Sequence, residues 1–97
     1  MMRAIAVFME TVHDEEQFAQ YRAVVLPTLE AFGGRFLARG GRFTVVEGKV
    51  PHERIVVLEF PSREAAEGWY ASEAYQKILP MRLNAMDCDA FIIDALE

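Results

Sequence analysis

The side chains best suited to ligand chemistry in this sequence are arginines gathered around a glycine pair. Arg35, Arg39 and Arg42 flank Gly40-Gly41, and Arg82 follows a proline further along the chain. Guanidinium groups bind planar anions such as carboxylates and enolates, and glycine lets a ligand approach the backbone closely. Arg39 and Arg82 are therefore predicted to hold the anionic group of a ligand. The alternative is that these arginines are solvated charges at strand ends.

Tyrosines and the single tryptophan fall on the predicted inner faces of the helices. Tyr21 lies in the first helical stretch, and Trp69 and Tyr75 lie in the second. A buried tyrosine hydroxyl needs a hydrogen-bond partner, which predicts a polar spot between helices and strands. If Ala4 and Ala6 face the helices, their small side chains leave room for a pocket there. We expect Tyr21 and Tyr75 to act in it as hydroxyl donors and Trp69 to contact the ligand, with ordinary core packing as the alternative.

One glutamate interrupts an apolar strand. Glu59 lies between Leu58 and Phe60 and shares a strand face with Ile55 and Val57. A carboxylate in a dry cavity has a raised pKa and becomes a usable base near neutral pH. Glu59 is therefore the predicted catalytic base, and a salt-bridge role is the alternative.

No metal or cofactor site is predicted. His13 and His52 are the only histidines, and neither has a second histidine at helical or strand spacing. The single cysteine, Cys88, lies between two aspartates, which raise the pKa of a thiol and make it less reactive. Catalytic triads, phosphate loops and dinucleotide fingerprints are missing from the sequence. We expect any activity to require no cofactor.

The elements that must position these residues include strands that are apolar on both faces. The apolar runs cover residues 4–9, 43–46, 55–58 and 90–93. A solvated antiparallel sheet would alternate apolar and polar residues, and these runs do not. Two helical stretches can cover one face of such a sheet. A second copy of the same sheet is the expected cover for the other face, so we predict an obligate homodimer.

Caps and prolines mark the two helical stretches. Asp14 is placed to cap the first helix and Ser62 the second, and Ser72 can restart the second after an interruption. Proline lacks an amide donor and clashes with the preceding helical turn. Pro27 is therefore expected to divide the first helix into two segments, and Pro80 to break the second.

The order of elements predicts an α+β fold of the ferredoxin-like type, β-α-β-β-α-β, with a four-stranded antiparallel sheet. Gly40-Gly41 has the local signature of a hairpin turn. An extra reversal at this point would direct the following strand the wrong way. The glycine pair is therefore interpreted as a bulge in one long strand, and the reversal is expected between Gly48 and Glu53.

Several short motifs carry a resemblance that spans nearly the whole chain. They are GGRFLARGG at 33–41, VEG at 46–48, VLEFPS at 57–62, WY at 69–70, SEAY at 72–75 and PMR at 80–82. In these motifs the chain resembles the domain of unknown function 1330 family. The resemblance implies a dimeric α+β barrel, in which the sheet of a ferredoxin-like monomer packs against that of its partner. Relatives in the wider group include cofactor-independent monooxygenases, muconolactone isomerase-like enzymes and haem-degrading proteins, and the family carries no agreed catalytic residues.

Composition narrows the possible partners. The chain is 53% hydrophobic and 26% charged with a net charge of −5, so residues 1–97 are predicted to form one globular domain that binds neither nucleic acid nor membrane. A lone cysteine is typical of the reducing cytoplasm. We therefore predict a cytoplasmic homodimer that binds a small organic molecule, anionic if the arginines contact it, in the manner of a cofactor-independent monooxygenase or isomerase. The alternative is a non-catalytic dimer that binds a ligand or a partner, for example in a stress response.

Overall fold

Strands and helices follow one another in the predicted order, with the second helical stretch divided in two at Ser72. The computed structural model describes residues 2–96. The elements are β1 (Ala4–Val12), α1 (Glu15–Glu30), β2 (Arg35–Arg39), β3 (Arg54–Phe60), α2 (Arg63–Ala71), α3 (Glu73–Ala85) and β4 (Met86–Asp94).

Hydroxyl and carboxylate side chains set the start of each of these helices. Asp14, Ser62 and Ser72 accept a hydrogen bond from the backbone N–H three residues later, at 3.0 to 3.2 Å. Each of these bonds satisfies a donor that a helix leaves free in its first turn. The three predicted caps are thereby confirmed.

Two prolines lie inside continuous helices, so the predicted breaks at Pro27 and Pro80 are wrong. α1 runs through Pro27, and α3 runs through Pro80. A proline in a helix interior costs about 3 kcal/mol because it removes one backbone hydrogen bond. Val25 and Leu29, on either side of Pro27, are almost completely buried, as is Arg82 after Pro80. Packing of these neighbours against the rest of the molecule outweighs the local preference.

The four strands form one antiparallel sheet in the order β2-β3-β1-β4. β1 lies in the middle and pairs along its length with β3 on one side and β4 on the other. This order, with helical connections between β1 and β2 and between β3 and β4, is the ferredoxin-like arrangement. The predicted α+β class is confirmed.

One face of the sheet carries the helices, and we call it the covered face. Along β1, Ala4, Ala6 and Phe8 are buried beneath the helices, and Leu58 and Phe60 of β3 join them in the core. Successive residues of a strand point to opposite faces, so every second residue lies here. The expectation that the two alanines face the helices is confirmed.

The opposite face has no helix over it, and we call it the open face. Its side chains are apolar in the middle of the sheet, and Phe91 and Ile93 at the β4 edge are 49% and 53% exposed. The strands are therefore apolar on both faces, as predicted, while helices cover one of them. The central residues of the open face are Ile5, Val7, Met9, Ile55 and Val57.

The connection between β2 and β3 is irregular over residues 40–53, so the predicted strand at 43–46 is wrong. The predicted single reversal is right, because β2 and β3 are adjacent and antiparallel. The bulge lies at Leu37, where the register shifts, instead of at Gly40-Gly41. β2 thus ends before the glycine pair.

Gly40 is required for the position of a neighbouring arginine. Its φ is +75°, in the left-handed region that favours glycine. A Cβ atom on Gly40 would lie 1.8 Å from Nη1 of Arg54. The missing side chain therefore lets the Arg54 guanidinium lie against the backbone on the covered side of the sheet.

Candidate functional site

A small cavity lies between α1, α2 and the covered face of the sheet, and we call it the helix–sheet cavity. Its volume is about 30 Å³, which holds one or two water molecules. Apolar side chains form most of its wall, among them Phe8 and Trp69. Its polar lining residues are Glu10, Tyr21, Arg22 and Arg39.

Residue spacing along β1 and α1 places two of these polar groups. Glu10 shares the covered face with Ala6 and Phe8 because strand side chains alternate, and it is only 3% exposed. Tyr21 lies four residues before Val25 on the buried stripe of α1. The carboxylate and the hydroxyl therefore approach the cavity from the sheet and from the helix, respectively.

A chain of hydrogen bonds runs away from the cavity through three tyrosines and one arginine. The hydroxyls of Tyr21 and Tyr75 lie 2.8 Å apart. Arg82 donates from Nε to the Tyr75 hydroxyl at 3.1 Å and from Nη2 to the Tyr70 hydroxyl at 3.4 Å. Tyr75 and Arg82 are almost completely buried, and the Arg82 guanidinium lies 5.1 Å from the ring centre of Phe8.

Trp69 packs at the centre of the aromatic cluster beside the cavity. Its ring centre lies 4.3 Å from that of Tyr75 and 5.3 Å from that of Phe60. Its indole Nε1 donates to the hydroxyl of Thr28 at 3.1 Å, which satisfies the one polar atom of the side chain. Trp69 is thus both a core residue and part of the cavity wall.

Three arginines converge at the outer side of the cavity. Arg39 lies 4.1 Å from the ring centre of Phe36 and donates from Nη2 to the backbone carbonyl of Arg22 at 3.2 Å. Arg54 donates from Nε to Oε1 of Glu10 at 3.1 Å. Burial and the neighbouring positive charges of Arg22 and Arg54 lower the pKa of Arg39.

Burial perturbs the acid groups of the site. It raises the pKa of Glu10 above its ordinary value, although the charge and hydrogen bond of Arg54 oppose the rise. Burial also raises the pKa of Tyr21 and of Tyr75, so both hydroxyls keep their protons at physiological pH. The helix–sheet cavity is therefore lined by a carboxylate that binds a proton more readily than usual and by a protonated hydroxyl.

The sheet separates Glu59 from this cavity. Glu59 lies on the open face, where Arg35 donates to Oε1 at 2.9 Å and Arg3 contacts Oε2. The hydrogen bond from Arg35 lowers the pKa of Glu59, opposite to the rise that a base near neutral pH needs. The salt-bridge alternative describes the surroundings of Glu59, and the structure does not bring Glu59 near the other predicted site residues.

The structure does bring the remaining predicted residues together. Tyr21, Arg39 and Trp69 line the helix–sheet cavity, and Tyr75 and Arg82 join it through the hydrogen-bond chain. Their roles toward a ligand stay predictions.

Glu10 is the residue that sequence reasoning missed. It occupies the last buried position in the series Ala4, Ala6, Phe8, Glu10, where every second residue faces the helices. Extending that series by one step beyond the apolar run would have found it. Its partner Arg54 lies 44 residues away in the sequence, and no local pattern links the two.

The histidines and the cysteine lie outside the cavity. Nδ1 of His52 lies 3.0 Å from the Thr11 hydroxyl, and Nε2 lies 2.8 Å from the carboxylate of Asp89. Burial raises the pKa of Cys88. Within residues 2–96, no group of three histidine, cysteine or acidic side chains is arranged to hold a metal ion. No helix in the described part of the chain is long and apolar enough to cross a membrane.

The family of the chain follows from a match along nearly its whole length. The model described as Domain of unknown function (DUF1330) matches residues 3–96. The chain therefore belongs to this family. No curated protein matches it significantly.

Solved structures of similar fold include several bacterial proteins. A protein of unknown function from Rhodopseudomonas palustris has a TM-score of 0.81 and 16% identity, over 99% of this chain and 84% of that one. The cofactor-independent oxygenase SnoaB from Streptomyces nogalater has a TM-score of 0.67 and 13% identity, over 100% and 96%. A dimeric ferredoxin-like protein of unknown function from a Jannaschia species has a TM-score of 0.67 and 11% identity, over 98% and 99%. At these identities the similarity establishes the fold, and the neighbours include dimers.

Proposed function

We propose that the protein binds a small organic anion at the helix–sheet cavity. The observation that carries the proposal is that Arg22 and Arg39 line one cavity and Arg54 lies 4.9 Å from the ring centre of Phe18 in its wall, in a chain whose net charge is −5. Like charges held together are destabilising unless an anion lies between them. Glu10 pairs with Arg54, which leaves Arg39 bonded to a backbone carbonyl and available to an incoming anion.

The size of the cavity restricts how such a ligand can enter. A volume of about 30 Å³ admits one functional group of an organic molecule and not its whole body. A wide, open depression outside it, with a volume of about 340 Å³, shares Arg22 and Arg39 with the cavity. The polar end of the ligand would enter the cavity, while the remainder lies in the depression and the two arginines move apart.

The polar groups at the cavity support chemistry that needs no cofactor. A carboxylate, a hydroxyl and guanidinium groups can move a proton and stabilise an anion. One structural neighbour, SnoaB, is a cofactor-independent oxygenase. The predicted class of cofactor-independent monooxygenase or isomerase is therefore retained as the enzymatic form of this proposal.

Binding without conversion is the second candidate, and the small cavity favours it. A site that encloses only one group of a ligand excludes water from little of it, which limits electrostatic stabilisation of a reaction. In that form, the protein would bind a ligand or a partner without changing it.

We further propose that the protein is a homodimer in which a second copy covers the open face. The exposed Phe91 and Ile93 continue the apolar centre of that face to its edge. Apolar patches of this kind mark interaction sites in otherwise polar surfaces. Structural neighbours described as dimeric ferredoxin-like proteins support the same assembly.

The single tryptophan makes ligand binding directly measurable. Trp69 lines the cavity, so a bound molecule should change its fluorescence. Pyruvate and 2-oxobutyrate serve as probes, because each is a small carboxylate with a second oxygen acceptor. We expect a saturable fluorescence change with both.

A pair of matched variants tests the role of Arg39. Arg39→Gln should weaken binding roughly 10- to 100-fold, the loss expected when a charged hydrogen bond is removed. Arg63→Gln removes the same charge from α2, where the side chain pairs with Asp94, and should leave the affinity unchanged. Equal affinities of the two variants, or no saturable change with either probe, would contradict the proposed site.

A further inference from the structure

The connection between β2 and β3, residues 40–53, contains a strand-like stretch that pairs with nothing in its own chain, and we call this connection the arm. Phe43, Val45 and Val46 are aromatic or β-branched, the residue types typical of strands. Residues 43–46 nevertheless take part in no backbone–backbone hydrogen bond within residues 2–96. Val45 is 45% exposed and Val46 is 88% exposed. The stretch therefore has the free backbone groups and the apolar side chains that an added strand needs.

Both ends of the arm are held on the sheet, while its middle is not. The Gly40 N–H donates to the carbonyl of Ile55 on β3 at 2.9 Å. Near the other end, Nε2 of His52 lies 2.8 Å from the carboxylate of Asp89 on β4. Two apolar side chains of the arm wall a depression of about 330 Å³ over the open face. The arm thus borders the surface that a second copy is proposed to cover, and a contact with that copy would continue the same interface.

Of the two outer strands, β4 has the edge that can accept another strand. β2 has only five residues, and its register shifts at Leu37. Short length and bulges are features that protect an edge from pairing. β4 pairs with β1 over all nine residues without a shift, and no strand of the described residues lies on its other side. It therefore leaves a long row of backbone donors and acceptors unpaired.

A groove next to this edge can receive the side chains of an added strand. It lies between α2 and β4 on the covered side of the sheet, with a volume of about 350 Å³, and we call it the α2–β4 groove. Its apolar lining includes Phe8, Ala90 and Ile92. A strand added to β4 would place every second side chain on this side. At about 30 Å³ for a group the size of a water molecule, the groove holds roughly ten such groups, enough for two apolar side chains.

Charge favours the same pairing. Residues 42–49 carry Arg42 and Lys49 against one acidic residue, Glu47, whereas β4 carries three aspartates and no basic residue. Arg42 and Lys49 form no ion pair within the described residues. Opposite charges on adjacent strands stabilise their pairing.

We infer that residues 43–46 of each copy add as a strand to the β4 edge of the other copy, with alternate side chains in the α2–β4 groove, an inference that rests on the proposed homodimer. A symmetric dimer makes this contact twice, because each chain has one arm and one β4 edge. Residues 43–46 thus form a strand only in the assembly, where a partner supplies the edge that their own chain lacks.

Amide hydrogen exchange tests the backbone pairing. Every second N–H of an edge strand faces its neighbour, so two amides within residues 43–46 should be protected when light scattering reports a dimer. We expect them to exchange at least ~10-fold more slowly than the amide of Gly48, in the exposed part of the arm. Dilution to the monomer should remove the protection.

Variants at exposed positions test the side-chain contacts without disturbing the folded chain. Val45 and Val46 point to opposite sides of an extended segment, so one of them enters the groove. At least one of Val45→Asp and Val46→Asp should therefore raise the dissociation constant of the dimer at least ~10-fold, since each substitution occurs twice. Ala90→Trp fills the groove and should have the same effect. The control Leu83→Asp, at an exposed position of α3, should leave the dissociation constant unchanged.

The outcomes separate the arm contact from dimer formation itself. A dimer whose arm amides all exchange as fast as that of Gly48 overturns the inference and leaves the homodimer standing. The same conclusion follows if the dissociation constant is unchanged in both valine variants or in Ala90→Trp. Protection that persists in the monomer would place the pairing partner of the arm in its own chain and also overturn the inference. A wild type that is monomeric at all concentrations overturns the homodimer and the inference together.

Discussion

Replacement of Tyr75 by phenylalanine tests the hydrogen-bond chain most directly. The change removes one hydroxyl and with it two bonds, at 2.8 Å to Tyr21 and at 3.1 Å to Arg82. A neutral bond contributes about 1 kcal/mol and one to a charged group about 1.5–3 kcal/mol. The free energy of unfolding should therefore fall by roughly 2.5–4 kcal/mol. A loss of about 1 kcal/mol lowers the melting temperature of a domain this small by roughly 4–8 °C, so the effect is large.

Two related variants provide the scale for this measurement. Tyr21→Phe removes only the neutral bond and should cost about 1 kcal/mol, and Tyr70→Phe removes a long 3.4 Å contact and should cost less. The double variant Tyr21→Phe/Tyr75→Phe should cost little more than Tyr75→Phe, because the bond between the two hydroxyls is lost only once.

Urea denaturation followed by circular dichroism provides the free energies. All variants are compared at one protein concentration, because dimer formation adds to apparent stability. If Tyr75→Phe proves no more costly than Tyr21→Phe, the contact with Arg82 contributes nothing to stability, and the reasoning about the hydrogen-bond chain is refuted.

The remaining predictions concern the cavity, pH, assembly and metals. Ala6→Phe should overfill the covered face at a cost of about 1–3 kcal/mol and abolish the pyruvate-dependent change in Trp69 fluorescence; unchanged binding would place the site elsewhere. Burial raises the pKa of Glu10, so the folded protein holds the Glu10 proton more tightly than the unfolded chain does. The stability contributed by protonated Glu10 is fully present below the ordinary glutamate pKa, and it is lost as pH rises through the raised pKa. The free energy of unfolding of the wild type minus that of Glu10→Gln should thus decrease with rising pH in urea titrations, and an increase would show that the pair with Arg54 dominates. Light scattering should report twice the mass of one chain at micromolar concentration, and a monomeric wild type would refute the proposed assembly. Val7→Asp on the open face should give monomers, whereas Leu83→Asp on the exposed side of α3 should leave the dimer intact. Dialysis against a chelator should leave the melting temperature unchanged, and a decrease would reveal a structural metal.

Local sequence patterns were sufficient to predict most of the framework. Asp14, Ser62 and Ser72 were identified as helix caps because each lies directly before an apolar helical repeat, and a cap depends only on residues within one turn. The strands β1, β3 and β4 were recognised from apolar runs. The aromatic residues Tyr21 and Tyr75 were placed toward the sheet by helical spacing alone.

Two errors came from local rules that distant contacts override. Pro27 and Pro80 remain inside helices because buried neighbours hold the chain on both sides of each. Residues 43–46 have strand composition, but β3 begins at Arg54. Continuing the pairing of Arg39 with Val56 would place residues 43–46 opposite residues 49–52, which are not in a strand. Whether a segment pairs depends on which strand edges are available, and a sequence window does not contain that information.

The sequence by itself determined that the strands are apolar on both faces and where the helices begin, because both follow from short-range periodicity and composition. The family resemblance rests on short motifs along the chain. Only the tertiary structure decided which glutamate faces the cavity. Adjacent strand positions point to opposite faces, and both faces of β3 are apolar, so nothing in the local pattern could assign Glu59 to the open face. The meeting of Glu10 with Arg54, and of Tyr21 with Tyr75 and Arg82, joins residues from different elements. The site thus depends on long-range packing of strands and helices, although each of its side chains is visible in the sequence.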